Sequence, residues 1–148
     1  MSEVLILIGS KSDMEYAEIC LEQLKVFGLK GDIVVSSAHR HPEKTANHTK
    51  GAADSGYNII IAMAGLSAAL PGVAAAHSNL PVIGVPLPAA LGGMDSLLSV
   101  TQMPPGIPVA AVGIGKPGAK NSAVLAARIL ALNSAKIKQA LEEHRNKL

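Results

Sequence analysis

The sequence predicts an α/β fold built on a doubly wound, five-stranded parallel sheet. Short β-branched runs alternate with helical stretches of about a dozen residues, the pattern of βαβ units. The first, third and fourth of these runs are continuously apolar, as strands covered by helices on both faces must be. The length of 148 residues allows one packed core, so a single domain spanning residues 1–148 is expected.

The first strand is expected at Val4–Ile8 and leads into a helix at Met14–Phe27. In that helix Ala17, Cys20, Leu21, Leu24 and Phe27 recur at helical spacing, and Gly28 supplies the stop. A second strand at Ile33–Val35 precedes a helix at Pro42–Ser55, with Pro42 suited to the first helical position. A third strand at Ile59–Ala62 and a helix at Ala68–Ser78 follow, then a strand at Val82–Val85 and a helix at Met94–Thr101. The last pair is a strand at Val109–Ile114 and a helix at Asn121–Leu132, with a polar tail from Ala135 to Lys147. Right-handed crossovers leave few topologies for this order.

Composition narrows the function. A net charge of +2 with 16% charged residues and no Lys/Arg run argues against a nucleic-acid partner. A small molecule is the expected ligand. Cys20 is the single cysteine, so no intrachain disulfide is expected, and the chain enters its first strand with no charged leader before it. Gly and Pro interrupt every apolar run before the roughly 18 residues a membrane helix needs. A cytoplasmic protein without a membrane partner is expected. Apolar residues make up 49% of the chain, yet Tyr16, Tyr57 and Phe27 are its only aromatics. Such a surplus of small apolar side chains exceeds what one small domain can hide and predicts a homo-oligomer.

Ligands of open α/β sheets bind beyond the carboxyl ends of the strands, which directs attention to three loops. Gly9-Ser10-Lys11-Ser12-Asp13 joins a tight turn and two hydroxyls to a helix N-terminus, a setting suited to phosphate. Ser10-x-x-Asp13 equally has the spacing of a capping box. Ser36-Ser37-Ala38-His39-Arg40-His41-Pro42 sets a cation able to hold phosphate in two bonds, Arg40, beside a proton carrier, His39. The competing readings are a plain surface loop, or a metal site of His39, His41 and His48. Ala64-Gly65-Leu66-Ser67-Ala68-Ala69-Leu70-Pro71-Gly72 has almost no reactive side chains but offers backbone donors and close approach to a flat ligand.

Gly113-Ile114-Gly115-Lys116-Pro117-Gly118 matches G-x-G-x-x-G, but the acidic residue and further strand of a dinucleotide fold are missing, with Lys138 at the expected place. A Walker A loop fails at Ala110 and Pro117. A flavin site fails for want of stacking aromatics.

Several motifs in register carry a resemblance: Gly9-Ser10-Lys11-Ser12-Asp13, Ser37-Ala38-His39-Arg40, Leu70-Pro71-Gly72, Asp95-Ser96-Leu97-Leu98-Ser99, Gln102-Met103-Pro104 and Gly106-Ile107-Pro108-Val109. From about Val4 to Leu130 the chain resembles the catalytic subunit of phosphoribosylaminoimidazole carboxylase, a family whose commonest bacterial form is N5-carboxyaminoimidazole ribonucleotide mutase. The resemblance implies a flavodoxin-like three-layer αβα sandwich, a homo-octamer, and a purine-biosynthesis step that moves carboxylate from an exocyclic nitrogen to imidazole C4. It implies that Ser10, Ser37 and Arg40 hold the 5′-phosphate and that Asp13 binds the ribose hydroxyls. Ser12, Ala38, Gly65, Ser67 and Leu70 would complete the substrate site, and His39 would be the general acid/base. No metal or organic cofactor is implied, and a functional link to the ATP-dependent N5-carboxyaminoimidazole ribonucleotide synthetase is.

The chain departs from the mutase pattern at Ala69, where that form carries a histidine, and at His41, where it carries threonine. The Ser67–Leu70 stretch leans toward the branch that carboxylates aminoimidazole ribonucleotide directly with CO2, whereas Arg40 matches the mutase, since that branch carries lysine there. Mutase is the expected activity and the direct carboxylase (a lyase) the alternative. A non-catalytic phosphate-ligand sensor using the same loops is the alternative of a different class.

Overall fold

The computed structural model describes residues 1–148. Strands β1 (Val4–Ile8), β2 (Gly31–Val35), β3 (Ile59–Ala64), β4 (Val82–Pro86) and β5 (Ala110–Ala111) form one sheet in the order β2-β1-β3-β4-β5. All four pairings are parallel. This is the flavodoxin-like order, whose winding reverses beside β1.

Helices α1 (Met14–Val26), α5 (Lys116–Leu130) and α6 (Ala135–Arg145) belong to one face, and α2 (Pro42–Lys50), α3 (Ala69–His77) and α4 (Met94–Thr101) to the other. Strand periodicity divides the core between them. Val4, Ile6, Ile8, Ile59, Ile61 and Met63 pack in the α1/α5 layer, while Leu5, Leu7, Ile60 and Ala62 pack in the α2/α3 layer. Both faces of β1 and β3 are thus dry, which explains their unbroken apolar runs. In the first layer Cys20 Sγ lies 3.5 Å from Ser122 Oγ, and burial pushes its thiol up to about 12. No helix is long and apolar enough to cross a membrane.

The structure corrects four sequence-based boundaries. The run Val109–Ile114 gives only a two-residue strand, because the chain turns away at Gly113 and Gly115 after the Val112 amide donates to Gly84 O. Helix α2 stops at Lys50 rather than Ser55: Gly51 caps it, and Gly56, at φ 91°, redirects the chain into β3. Helix α5 starts at Lys116, not Asn121, since Pro117 lies in a first turn that needs no amide donor. The polar tail is α6: the Ser134 side chain accepts from the Ile137 amide, and Ile137, Ala140 and Leu141 pack on the core. At the end of α1 the expected stop holds. Gly28 adopts φ 71° there, and its amide donates to Lys25 O.

The rejected G-x-G-x-x-G pattern has a structural explanation. Gly115 adopts φ 72°, and a Cβ on Gly118 would sit 1.6 Å from Gly113 O. The glycines let the β5–α5 turn fold back on itself, and Lys116 then pairs with Glu15 of α1.

Candidate active site

Each strand delivers its following loop to the same edge of the sheet. After β1, Ser10 caps a short 3-10 turn (Lys11–Asp13): its Oγ accepts from the Ser12 amide at 3.3 Å and from Ser12 Oγ at 3.1 Å. The capping role suggested by the spacing is therefore real, although its partner is Ser12 rather than Asp13. Burial raises the Asp13 carboxyl above its ordinary pKa, with a Ser10 backbone hydrogen bond acting against it.

That shift has a sign that can be tested. A raised folded-state pKa means Asp13 binds its proton more tightly in the fold, so its stabilising contribution is complete below the ordinary carboxylate range and is lost as pH rises through the raised value. Asp13→Asn is expected to raise the melting temperature at pH 7 and to leave it unchanged near pH 3. Melting curves at the two pH values check this, and an equal shift at both would contradict it.

After β2, the Ser36 amide donates to Ile8 O at 2.8 Å, and its hydroxyl meets buried Thr45 Oγ1 at 2.8 Å. Thr45 in turn donates to His41 O. These bonds pin both ends of the loop that carries His39 and Arg40. Within it the Arg40 amide donates to Ser37 Oγ at 3.2 Å, leaving the Ser37 hydroxyl proton free for a ligand. The His39 and Arg40 side chains are exposed. His41 is the N-cap residue of α2, directly before Pro42 at the helix start.

After β3, Leu66 adopts φ 54°, a left-handed conformation that is unusual for a residue of its size. Neighbouring Gly65 lies so close to the next loop that a Cβ would stand 3.4 Å from Leu87 O. The Ser96 hydroxyl holds that next loop by donating to Leu87 O at 2.8 Å and to Gly93 O at 2.9 Å.

These loops enclose a crevice of about 520 Å³. Of the residues expected from sequence, Ser10, Ser12, Asp13, Ser37, Ala38, His39, Arg40, Gly65 and Leu70 all line it. Ser67 does not; it is exposed outside the crevice, because the turn at Leu66 carries it away. Ala69, at the position of the missing histidine, is in the wall. Sequence reasoning missed Tyr16 and the Leu87-Pro88-Ala89 wall. Tyr16 follows Asp13 by three residues, close to one helical turn, and the fourth strand's loop obeys the same carboxyl-end rule as the first three. No three His, Cys, Asp or Glu side chains are grouped to hold a metal ion, so His39, His41 and His48 do not converge.

A parallel sheet with a serine- and arginine-bearing crevice at its switch point defines a doubly wound α/β protein with a small-molecule-sized crevice where such folds carry their sites. The chain belongs to the AIR carboxylase family, whose model matches residues 3–148. It is 49% identical over 151 residues to the N5-carboxyaminoimidazole ribonucleotide mutase of Saccharolobus solfataricus, covering 99% of this chain and 94% of that protein. It is 45% identical to the protein of the same name from Escherichia coli K12, covering 97% and 86%. The crystal structure of Treponema denticola PurE superposes with a TM-score of 0.87 at 34% identity, covering 97% of this chain and 89% of that one.

Proposed function

We propose that this chain is a purine-biosynthetic isomerase that converts N5-carboxyaminoimidazole ribonucleotide to the C4-carboxylated isomer. The observation that carries the reading is the joining, in one crevice, of an anion-holding group (Ser10, Ser12, Ser37, Arg40) to a lone imidazole, His39. The names of relatives at 45–49% identity support the same substrate.

In this reading Ser10, Ser37 and Arg40 hold the 5′-phosphate, Asp13 takes the ribose hydroxyls, and Gly65 and Leu70 form the wall beside the base. The N–carboxylate bond breaks to give CO2 while His39, as imidazolium, protonates the departing nitrogen. Carbon C4 then attacks CO2, and neutral His39 accepts the C4 proton. Proton and CO2 both balance, so the net change is an isomerisation needing neither metal nor organic cofactor. Positioning and exclusion of water do most of the work in such a step.

Exclusion of water points to assembly. His39 and Arg40 are exposed in the single chain, and so are Leu66 (57%), Leu91 (68%), Met94 (51%) and Leu98 (52%). Apolar exposure on this scale is expected to be covered by other subunits. A homo-octamer in the cytoplasm, acting after the ATP-dependent synthetase that makes its substrate, with residues 1–148 as one catalytic domain, is the complete proposal.

A second reading, direct carboxylation of aminoimidazole ribonucleotide by CO2, is favoured by Ala69 in the crevice wall. Labelled bicarbonate separates the two: the mutase leaves the label out of the product in short incubations, whereas the carboxylase incorporates it fully.

Arg40→Ala is expected to weaken the ribonucleotide by about 1.5–3 kcal/mol, the loss of a charge-assisted phosphate contact. The unphosphorylated nucleoside should bind equally well to both forms. Calorimetric titration of each ligand checks this, and equal losses for both would remove Arg40 from the phosphate site.

A further inference from the structure

A second cavity, of about 490 Å³, lies among α1, α5 and α6 and shares no residue with the crevice. Helix α5 contributes Lys120, Val124 and Arg128, four residues apart and therefore on one face. Helix α6 contributes Lys138, Leu141 and Arg145, again on one face. Four cations thus border one concavity, and none of them is in an ion pair; the only two ion pairs of the chain are Lys25–Glu22 and Lys116–Glu15. Glu142 is the one acidic side chain in the lining.

Four unpaired cations from two helices, bordering one concavity, are complementary to an anion carrying several acceptor oxygens. Val124 and Leu141 add apolar surface between the charges, and the volume lies in the range of small-molecule sites rather than of an extended macromolecular track.

We propose that the α1/α5/α6 cavity binds a small organic polyphosphate, separately from the substrate crevice. Its phosphates lie among Lys120, Arg128, Lys138 and Arg145, and its organic part rests on Val124 and Leu141. This inference is independent of the reaction assigned to the crevice.

The test is calorimetric titration of the assembled protein with ADP, pyrophosphate and adenosine at about 0.15 M salt, where exposed charges are already screened. The proteins compared are the wild type, the double variant Arg128→Gln/Lys138→Gln and Arg40→Ala. Both substituted cations are exposed, so the double variant is expected to fold, and circular dichroism checks that it does. Saturable ADP binding is expected in the wild type and in Arg40→Ala, weakened at least about tenfold in the double variant through loss of charge-assisted contacts. Pyrophosphate should compete with ADP, and adenosine should not. The proposal is overturned if ADP shows no saturable binding, if adenosine binds as tightly as ADP, or if the folded double variant binds ADP as the wild type does. Loss of ADP binding in Arg40→Ala alone would assign that binding to the crevice and equally overturn it.

Discussion

His39→Ala is expected to reduce turnover by about 10²–10⁴-fold, the usual contribution of a positioned acid/base, while leaving the fold intact. His39 is exposed and belongs to neither core cluster, so removing its ring creates no cavity. The loop that carries it is held by the Ser36, Ser37 and Thr45 hydrogen bonds, none of which uses the imidazole. Substrate affinity should change little, because Arg40 and the serines carry the phosphate. Steady-state kinetics with a melting curve on the same preparation checks both halves. An unchanged kcat would remove His39 from the proton transfer, and a collapsed fold would show that its role is structural.

Gly118→Ala is expected to have the largest effect on stability of any glycine-to-alanine substitution in this chain. The new Cβ would stand 1.6 Å from Gly113 O and 2.7 Å from Gly113 C, contacts to rigid backbone that no rotamer relieves. Either α5 shifts or the turn after β5 opens, and α5 supplies buried Ala119, Ser122, Ala123, Ala126 and Ala127 to the core. A cost of roughly 3 kcal/mol is expected, the upper part of the range for overpacking. For a chain of this size that lowers the melting temperature by roughly 6–12 °C. Gly92→Ala is the control for adding a methyl in open space, since nothing lies within 4 Å of its Cβ position, though its φ of +62° carries a strain of its own. A Gly118→Ala protein that melts within about 2 °C of wild type would contradict the close approach.

The fold was legible where burial on two faces writes itself into the sequence. Continuous apolar runs marked β1, β3 and β4, and the loops after β1, β2 and β3, singled out by the carboxyl-end rule, hold nine of the crevice residues. Legibility failed where glycine and proline carry two meanings. Gly113 and Gly115 cut β5 short, and Pro117 opens α5 although it resembles a break. Helix α6 was hidden because only Ile137, Ala140 and Leu141 of its surface reach the core. In the site, Ser67 was assigned from the family resemblance, and the left-handed turn at Leu66 shows that the chain has already left the crevice. Tyr16 and the wall after β4 carry no charge and no motif, so spacing and topology were their only signals. The Lys120, Arg128, Lys138 and Arg145 set was invisible for another reason: its members come from two helices, one of which was read as a tail.

The most direct test of the proposed isomerisation is C4-carboxylated product formation from each of two ribonucleotides, with bicarbonate present or removed. The account predicts full conversion of N5-carboxyaminoimidazole ribonucleotide without bicarbonate, and with it the conclusion that Ala69 suffices where the mutase pattern has histidine. Activity only on aminoimidazole ribonucleotide with added CO2 would contradict it and assign the chain to the carboxylase branch despite Arg40.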